Sequence, residues 1–325
     1  MIEETYNHLI SLEGLGNLSL HDIHVEPLQT LAHSEVYRVR LDSLSTSVIL
    51  KKSGAADVAG LAKRERQFYR HIAPLLPSWL VPECLLIVEG DQTGRLFIKD
   101  LSGSHRSACS PAPTRMECRC FVEALATLHG LTGRHSTIQS EWIKVAADLP
   151  AGTIQQRLSF FQLVLGSFIA MIHERVDRAV ESFLTDLSDL EHRIKRMGAQ
   201  ADVIVHGDAH FGNALFSPEQ RACLIDWGMP MIGFGEIDLA HALALNLPPN
   251  LRREWEQEMI GVYLSQMAAC GSPVEEAAFY DRYRLGVLYS FISPVIWWCS
   301  GVPEPQWWSA LTNSLDAARD LGLLK

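Results

Sequence analysis

The stretch VIVHGDAHFGNALFSPEQRACLIDWGMPMIGFGEID occupies residues 203–238 and gathers several polar side chains that can do chemistry. A short apolar run at its start predicts a strand, which leads into a loop that contains Asp208 and then Asn213, at 213 − 208 = 5 positions. A second apolar run, Ala222–Ile225, predicts another strand, and Asp226 follows it directly. We therefore expect the two carboxylates to share one mouth of the fold.

The spacing of these residues suits one chemistry in particular. The interval from Asp208 to Asn213 equals that between the proton-accepting Asp and the metal-binding Asn of the protein-kinase catalytic loop. Carboxylate and amide oxygens also suit Mg²⁺, which binds few protein ligands and keeps several waters. The stretch therefore predicts magnesium-dependent phosphoryl transfer. The alternative is a structural hairpin with polar loop ends.

Composition limits the class of protein. The chain has 325 residues, of which 47% are hydrophobic and 20% charged, so it can bury a large core in one or two domains. Its formal net charge of −10 argues against a nucleic-acid partner, because such binding needs Lys and Arg on the phosphates. A cationic small substrate would suit this charge.

The cysteines and the apolar segments indicate a cytoplasmic protein. The seven cysteines form no CxxC pair, and their odd number and scatter do not resemble a disulfide framework. The first ten residues, MIEETYNHLI, show no signal or transit peptide. The most apolar windows, 160–172 and 285–299, fall short of the ~18 residues of a membrane span, so we expect no membrane partner.

The pattern of elements changes near residue 100. The first part is predicted to consist of short strands and one helix, from about Leu61 to His71. The predicted strands are Val36–Leu41, Ser47–Lys51, Cys84–Val88 and Arg95–Lys99, with a hairpin turn at 90–94 between the last two. The second part reads as helical, including a helix from Phe121 that Gly130 would end and longer patterns at about 153–197 and 251–270. We predict an N-terminal nucleotide-binding lobe at 1–100 and a helical C-terminal lobe at 101–325.

The chain resembles the aminoglycoside phosphotransferase and choline kinase family of small-molecule kinases. The resemblance lies in HGDxHxxN, then IDW, then GxxDLA, and these motifs stand here at residues 206–213, 225–227 and 235–240. It extends loosely over most of the chain, including LFIKDLSG at 96–103 and ALATLHG at 124–130. The resemblance implies an α+β, bilobal protein-kinase-like fold, with a small antiparallel sheet in the N-terminal lobe and a larger, mainly helical C-terminal lobe.

The resemblance also implies roles for the motif residues. Asp208 would accept the proton of the attacking hydroxyl, while Asn213 and Asp226 would hold Mg²⁺. His206 would organise the loop near Asp238, with further support from His210. Asp238, which we place at a helix N-cap, would by resemblance also fix the catalytic loop. In an alternative interpretation, His206, Asp208 and His210 would ligate zinc, but this leaves Asn213 and Asp226 unexplained.

The N-terminal lobe should supply groups for ATP or GTP. Lys51 and Lys52 end one predicted strand on opposite faces, and we choose Lys51 as the phosphate-binding cation. By resemblance Glu65 pairs with it, although a solvated charged helix face is the alternative for that residue. The phosphate-covering loop at 31–39 contains no glycine, so Ser34 would contribute a hydroxyl. The connecting segment would bind the base through the backbone of Phe97, Ile98 and Asp100.

The phosphate acceptor is not determined by these motifs. Acidic residues at 174–191 could face a polycationic sugar, and four tryptophans at 297, 298, 307 and 308 could surround a quaternary amine. We favour a solvated helix face and core packing for these two groups. The sequence thus predicts a kinase that acts on a small hydroxylated molecule; the alternative is a nucleotide-binding scaffold without turnover.

Overall fold

An antiparallel five-stranded sheet forms the N-terminal part. Its strands are β1 (Ile23–Thr30), β2 (Ser34–Leu41), β3 (Thr46–Ser53), β4 (Cys84–Val88) and β5 (Arg95–Lys99), in the order β1-β2-β3-β5-β4. Helix α1 (Ile2–Leu9) contacts β1. The computed structural model describes residues 2–10, 19–30, 34–54, 60–90, 94–110, 112–134, 153–196 and 203–324.

The sequence patterns located four of these five strands and missed β1. Strand β1 contains Pro27, which cannot donate to a ladder, and its pairing with β2 shifts register between Pro27 and Gln29. An edge strand tolerates both features, because only one side of it must pair. The predicted turn at 90–94 and the loop at 31–33 lie largely outside the described residues.

Strand β3 sets the geometry of the site through its two faces. Val48 and Leu50 are buried in a core with Phe97, while Ile49 and Lys51 face the opposite side, towards the rest of the molecule. This alternation follows from the two-residue period of a strand. Lys51 is therefore held on a rigid element rather than on a loop.

Helix α2 (Leu61–His71) matches its predicted bounds, but its charged run is not solvated. Arg64, Glu65 and Arg66 are all buried. Arg66 donates to Ser53 Oγ at 2.6 Å, and Arg64 donates to the Gly228 carbonyl at 3.1 Å. The charges survive burial because each has a partner, which overrides the usual preference of Arg and Glu for water.

Helices dominate the chain after residue 114. Helix α3 (Arg115–Arg134) continues through Gly130, so the predicted helix end at that glycine is wrong. The following helices are α4 (Ile154–Ile172), α5 (Arg178–Asp186), α6 (Leu190–Arg196), α7 (Glu236–Ala240), α8 (Pro249–Ala269), α9 (Glu276–Ser290), α10 (Ile292–Cys299) and α11 (Glu304–Asp320). A π-helical turn, His241–Leu245, extends α7.

Local capping explains where several helices begin and end. Thr153 and Gln156 form a capping box at the start of α4, and Asp177 caps α5 by accepting from Val180 N at 2.9 Å. These caps divide the helical pattern predicted over 153–197 into separate helices. Helix α8 ends before Gly271, whose φ of 71° is left-handed, as the pattern at 251–270 predicts.

Two small sheets position the loop at 206–213. Strand β7 (Val203–Val205) pairs with β10 (Met231–Gly233), and β8 (Ala214–Phe216) lies between β6 (Arg106–Ser107) and β9 (Ala222–Leu224). The loop thus leaves one sheet and enters the other. Asp226 lies just beyond β9, on the same side of the molecule.

One hydrophobic core crosses the predicted boundary at residue 100. It joins Phe68 of α2 and Leu96 of β5 to Phe121 of α3, and Trp227 stacks on Phe68 with ring centroids 3.8 Å apart. The division into lobes at 100 and 101 remains a prediction. Within the described ranges, no helix has the length and apolarity needed to cross a membrane. All seven cysteines are free thiols.

Candidate active site

A cavity of about 560 Å³ lies between the N-terminal sheet and the loop at 206–213. We call it the cleft cavity. Strand residues Ser34, Ile49 and Lys51 line one side, and Asn213 and Asp226 line the other. Seven of the residues selected from sequence line it, namely Ser34, Lys51, Ile98, Asp100, His210, Asn213 and Asp226.

Lys51 forms the centre of an ion-pair network in the cleft cavity. Its Nζ lies 2.7 Å from Glu65 Oε1 and 3.0 Å from Asp226 Oδ1. Burial alone would lower the pKa of Lys51, but the charges of Glu65 and Asp226 raise it above its ordinary value. Lys52 points to the other face and contacts Glu35 at 3.3 Å. The lysine that faces the cleft cavity is thus the one selected from sequence.

Asp226 is held in an uncommon backbone conformation. Its φ is 64°, in the left-handed region that side chains other than glycine adopt rarely. The contact with Lys51 lowers the pKa of its carboxyl against the effect of burial, and nearly half of the side chain, 46%, remains exposed to the cavity. The conformation turns a charged oxygen towards open space, where a cation can reach it.

Asp208 is oriented by three neighbouring side chains. Asn213 Nδ2 donates to Asp208 Oδ2 at 3.1 Å, His210 Nε2 lies 3.6 Å from Oδ2, and His241 Nε2 lies 3.6 Å from Oδ1. Burial alone would raise the pKa of Asp208, but the contact and charge of His210, together with the charge of His241, lower it well below the usual range. The carboxylate is therefore ionised at neutral pH.

Asn213 connects the two carboxylates. Its amide group donates to the carbonyl and the carboxylate of Asp208, at 3.0 and 3.1 Å. Its main-chain carbonyl accepts from Ile225 N at 2.9 Å, one residue before Asp226. Because the NH₂ group is committed to Asp208, the amide oxygen of Asn213 is left to accept or to coordinate.

The loop that carries Asp208 is fixed from behind by Asp238. The Asp238 carboxylate accepts from His206 N at 2.6 Å, from Gly207 N at 2.9 Å and from His129 Nε2 at 3.1 Å. The expectation of an N-cap was wrong, because α7 begins at Glu236 and Gly235 is its N-cap. The fully buried Asp238 satisfies the donors of the loop instead of those of its own helix.

Gly207 is required by the shape of the same loop. Its φ is 77°, and an added Cβ would lie 2.1 Å from the Met229 carbonyl oxygen. The buried Arg157 then joins the two segments, because it donates to the carbonyls of Gly207 at 3.1 Å and Met229 at 2.6 Å. The loop is thus set by close backbone approach as well as by Asp238.

The two motif histidines contact different neighbours. His206 Nε2 donates to the Ile225 carbonyl at 2.9 Å, and burial lowers the pKa of this histidine, which keeps it neutral. His210 Nδ1 accepts from Gly212 N at 3.1 Å, which leaves Nε2 to face Asp208. Within the described ranges, no group of three or more His, Cys, Asp or Glu is placed to hold a metal ion. The zinc interpretation therefore gains no support.

A second cavity, of about 660 Å³, opens on the other side of Asp208. We call it the helical cavity, because its remaining walls come from the π-helical turn and from α10 and α11. Its lining is mainly apolar or neutral: Leu245, Asn246, Trp297, Val302, Pro305, Gln306, Ser309, Ala310 and Asn313, with Asp208 and His210. His210 lines both cavities, so the two meet beside Asp208.

Comparison with known proteins assigns the chain to a family. Residues 24–273 match the profile of the phosphotransferase enzyme family, APH. The chain belongs to this phosphotransferase family. The match includes the sheet, the loop at 206–213 and Asp226. No match is found among curated proteins.

Solved structures show the fold of this phosphotransferase. It is similar to choline kinase from Cryptosporidium parvum, with 14% identity over 99% of this chain and 96% of that chain and a TM-score of 0.65. It is also similar to ethanolamine kinase from Plasmodium vivax, with 13% identity over 95% and 84% and a TM-score of 0.62. A third similar structure is the ternary complex of streptomycin, ATP and APH(2")-IIa, with 14% identity over 100% and 98% and a TM-score of 0.57. These likenesses confirm the bilobal protein-kinase-like fold.

The phosphotransferase has a donor set that fits Mg²⁺. Asp226 offers a carboxylate partly open to the cleft cavity, and Asn213 offers an amide oxygen whose partner NH₂ is already bonded. Two hard oxygen ligands from the protein are a usual complement for Mg²⁺, which takes its other ligands from water and substrate phosphates. These two residues would hold the ion.

The segment selected for binding the base needs one change. Phe97 is fully buried in the core behind the sheet, and it pairs with Leu50 on one side and Leu86 on the other. It does not line the cleft cavity, because side chains alternate along β5 and that of Phe97 is on the core face of the sheet. Ile98 and Asp100 do line it, followed by Leu101 and Ser102. The Asp100 carboxylate is itself bonded to Arg38 and Ser47, at 2.8 and 2.7 Å.

The tryptophans and the acidic residues do not assemble a cationic-substrate site in the described part of the phosphotransferase. Of the four tryptophans, only Trp297 is among the residues that line the helical cavity. Trp298 packs against Phe168, and Arg175 lies 3.7 Å above the ring of Trp308. None of the acidic side chains at 174–191 lines either of these two cavities.

Sequence reasoning missed two histidines of the phosphotransferase site. His129 is the last residue but one of the ALATLHG match and donates to Asp238, but the resemblance gave it no role. His241 follows DLA directly and lies against Asp208; burial lowers its pKa to about 4. Its position in a π-helical turn was the missing information, because such turns occur often at functional sites but have no sequence signature.

Proposed function

We propose that this protein transfers the γ-phosphoryl group of ATP or GTP to a hydroxyl of a small molecule, with Mg²⁺ as cofactor. One observation carries the proposal: the cleft cavity presents Lys51, Asn213 and Asp226, and Asp208 faces an adjoining cavity of similar size. A phosphate donor and a hydroxyl acceptor could therefore meet at Asp208 from opposite sides. Family membership and the solved structures of related fold support the same reaction class.

In the cleft cavity, Lys51 binds the α- and β-phosphates, and Glu65 keeps its ammonium group aimed at them. The 2.7 Å contact to Glu65 lies behind the lysine, so a phosphate would displace only the contact with Asp226. Ser34, at the start of β2, is placed to contact the phosphates. The base would lie along Ile98, Asp100 and the two residues that follow.

Asp208 accepts the proton of the acceptor hydroxyl. As that proton leaves, the acceptor oxygen forms a bond to the γ-phosphorus, and the bond from phosphorus to the β,γ-bridging oxygen breaks to release the nucleoside diphosphate. A carboxylate with a lowered pKa is a weak base, so its main contribution is to aim the hydroxyl in line. This suits a loose transition state, in which the bond to the attacking oxygen is little formed, so that the hydroxyl gains little positive charge before its proton leaves.

When bound by Asn213 and Asp226, Mg²⁺ would neutralise charge on the phosphates and help to fix their orientation. The residues of the chain prepare this position. Lys51 contacts Asp226 at 3.0 Å and compensates its charge before a nucleotide arrives. Asn213 links the metal position to Asp208, so one side chain orients both the metal position and the base.

We place the reaction in the cytoplasm, because seven free thiols suit a reducing compartment. We propose no nucleic-acid or membrane partner.

The test measures magnesium-dependent release of ADP or GDP over a panel of hydroxylated compounds. Asp208→Asn keeps the shape of the side chain and removes the base, so transfer should fall by about 10²- to 10⁴-fold while nucleotide binding persists. Nucleotide binding by the wild type without transfer to any compound would favour a scaffold and overturn the proposal. Calorimetric titration of the nucleotide into both proteins supplies the binding measurement.

A further inference from the structure

The helical cavity has neutral walls that point to the class of the acceptor. We infer that the acceptor is a neutral molecule with several hydroxyl groups and one apolar face, rather than a polyamine sugar or a quaternary amine. This inference rests on the proposed function, because it takes the helical cavity beside Asp208 as the acceptor site.

Two amide side chains that line the helical cavity have a fixed orientation. Asn246 Nδ2 donates to the carbonyl of His241 at 2.7 Å, and Asn313 Nδ2 donates to the carbonyl of Leu245 at 3.1 Å. Both amides thus bind the main chain of the π-helical turn through their NH₂ groups, and their oxygens remain as neutral acceptors. Neutral acceptors match O–H donors of a ligand without adding a charge to the site.

The lining of the helical cavity carries little negative charge. Within the described residues that line it, Asp208 is the only carboxylate, and His210 and His241 already contact it. Glu304, which precedes the lining residue Pro305, pairs with Arg175 at 2.9 Å. A multiply charged cation would therefore lose its hydration without gaining carboxylate partners, which is unfavourable.

The aromatic surface of the helical cavity does not suit a quaternary amine. A quaternary amine is bound by several aromatic faces around one point. Here Trp297 contributes to the cavity, while the neighbouring Trp308 ring is covered by the guanidinium of Arg175 at 3.7 Å. Trp297, with Leu245, Val302 and Ala310, instead forms an apolar wall of the kind that packs against the face of a sugar ring or a planar group.

The experiment uses pairs of acceptors that differ by one exchange of hydroxyl for amine, such as glucose and glucosamine. For each pair, kcat/KM is measured from ADP release by the full chain with Mg²⁺ and ATP. We expect the neutral member to be preferred. Asn313→Asp adds a carboxylate to the cavity and should shift the ratio towards the amine by about two- to fivefold, the size of one partly exposed ion pair.

Asn250→Asp is the matched control, because Asn250 is exposed in the first turn of α8 and lines neither cavity. It makes the same chemical change and should leave the ratio unaltered. Preference for the amine in the wild type, or an equal shift in both variants, overturns the inference.

Binding of the same compounds, in the presence of ADP and Mg²⁺, is followed by saturation-transfer NMR in the wild type and in Trp297→Ala. Neutral compounds should give the stronger signal, and the signal should weaken in the variant. The inference is also overturned if neutral compounds give no signal that depends on Trp297. Transfer to amines alone overturns only this inference, whereas binding of neutral compounds with no transfer to any compound overturns the proposed function.

Discussion

The two cavities that meet at Asp208 are lined by different kinds of side chain, charged in one and mainly neutral in the other. In the cleft cavity, charged groups compensate one another at short range: Lys51 with Glu65 and Asp226, and Arg38 with Asp100. In the helical cavity, the walls are amides, a hydroxyl, a tryptophan and aliphatic groups. His210 touches both.

The contrast reflects what each side must bind. A nucleotide with its metal brings many charges, so the cleft cavity needs opposite charges that are already oriented before binding. An acceptor offers mainly shape and hydroxyl groups, so its cavity can be neutral. Variants should therefore separate the two sides: a charge change in the cleft cavity should affect the nucleotide, and a change in the helical cavity should affect the acceptor.

The largest effect on the cleft cavity should come from Asp226→Asn. The variant loses the metal-binding charge, so turnover should fall by more than about 100-fold, and the gain in nucleotide affinity on adding Mg²⁺ should disappear. Asparagine tolerates the φ of 64°, so the fold should survive. Calorimetric titration of ATP with and without Mg²⁺ gives the result.

Asp186→Asn, at an exposed position, is the control. Unchanged magnesium dependence in Asp226→Asn would show that this carboxylate does not hold the metal.

A smaller effect should distinguish the two neighbouring lysines. Lys51→Ala removes a charge-assisted contact to phosphate and should weaken nucleotide binding by about 10- to 100-fold, whereas Lys52→Ala should change it less than about twofold. Both affinities are measured by the same titration. Comparable losses in both variants would contradict the assignment of the strand face.

Loss of Lys51 also leaves the buried Glu65 without its counter-charge, which destabilises the fold. The double variant Lys51→Ala/Glu65→Gln removes that charge too. If the nucleotide affinity stays low in the double variant while the melting temperature recovers, the loss is one of phosphate binding and not of folding.

The cleft cavity could be predicted from sequence because its residues lie in short motifs on regular elements. Strand alternation showed that only one of Lys51 and Lys52 could face the nucleotide, and we chose Lys51. The interval between Asp208 and Asn213 placed both in one loop. The choice of Phe97 failed although the bounds of β5 were predicted correctly, because Phe97 lies inside that strand and its side chain is buried in the core. For Asp238, the resemblance implied that it fixes the loop, but the predicted N-cap was wrong, because its donors come from α3 and the loop at 206–213.

The helical cavity could not be predicted in the same way. Its walls come from 245–246 and 297–313, which only the packing of α10 and α11 on the π-helical turn brings together. The charged residues at 174–191 and the tryptophan pairs were visible in the sequence. Their partners were not: Asp177 caps a helix, and the face of Trp308 is occupied by Arg175.

On the acceptor side, Trp297→Ala should raise the KM of the acceptor by about fivefold, as expected for one aromatic contact of about 1 kcal/mol, and leave the KM of ATP unchanged. Trp298→Ala is the matched comparison. Because Trp298 packs against Phe168, its removal should lower the melting temperature. It should change the acceptor KM little. Steady-state kinetics and thermal denaturation of both variants make the comparison. A rise in the KM of ATP in Trp297→Ala would mean that the two cavities are not separate.

The smallest effect concerns His241, at the boundary of the two cavities. Burial lowers its pKa to about 4 in the folded protein, compared with about 6.5 in the unfolded chain. The unfolded state therefore binds the proton first on acidification, so the stability that depends on neutral His241 is complete above pH ~6.5 and is lost as the pH falls towards ~4. Between pH 6.5 and 5 this should remove about 2 kcal/mol from the free energy of unfolding.

His241→Gln should lack this part of the pH dependence, because glutamine does not titrate. Urea unfolding at several pH values measures it, with His173→Gln as a control at an exposed position. In the same variant, the nucleotide affinity should stay constant while kcat falls a few-fold, since only the orientation of Asp208 is disturbed. A pH slope equal to that of the wild type would mean that the pKa of His241 is the same in the folded and the unfolded protein, so that burial does not favour its neutral ring.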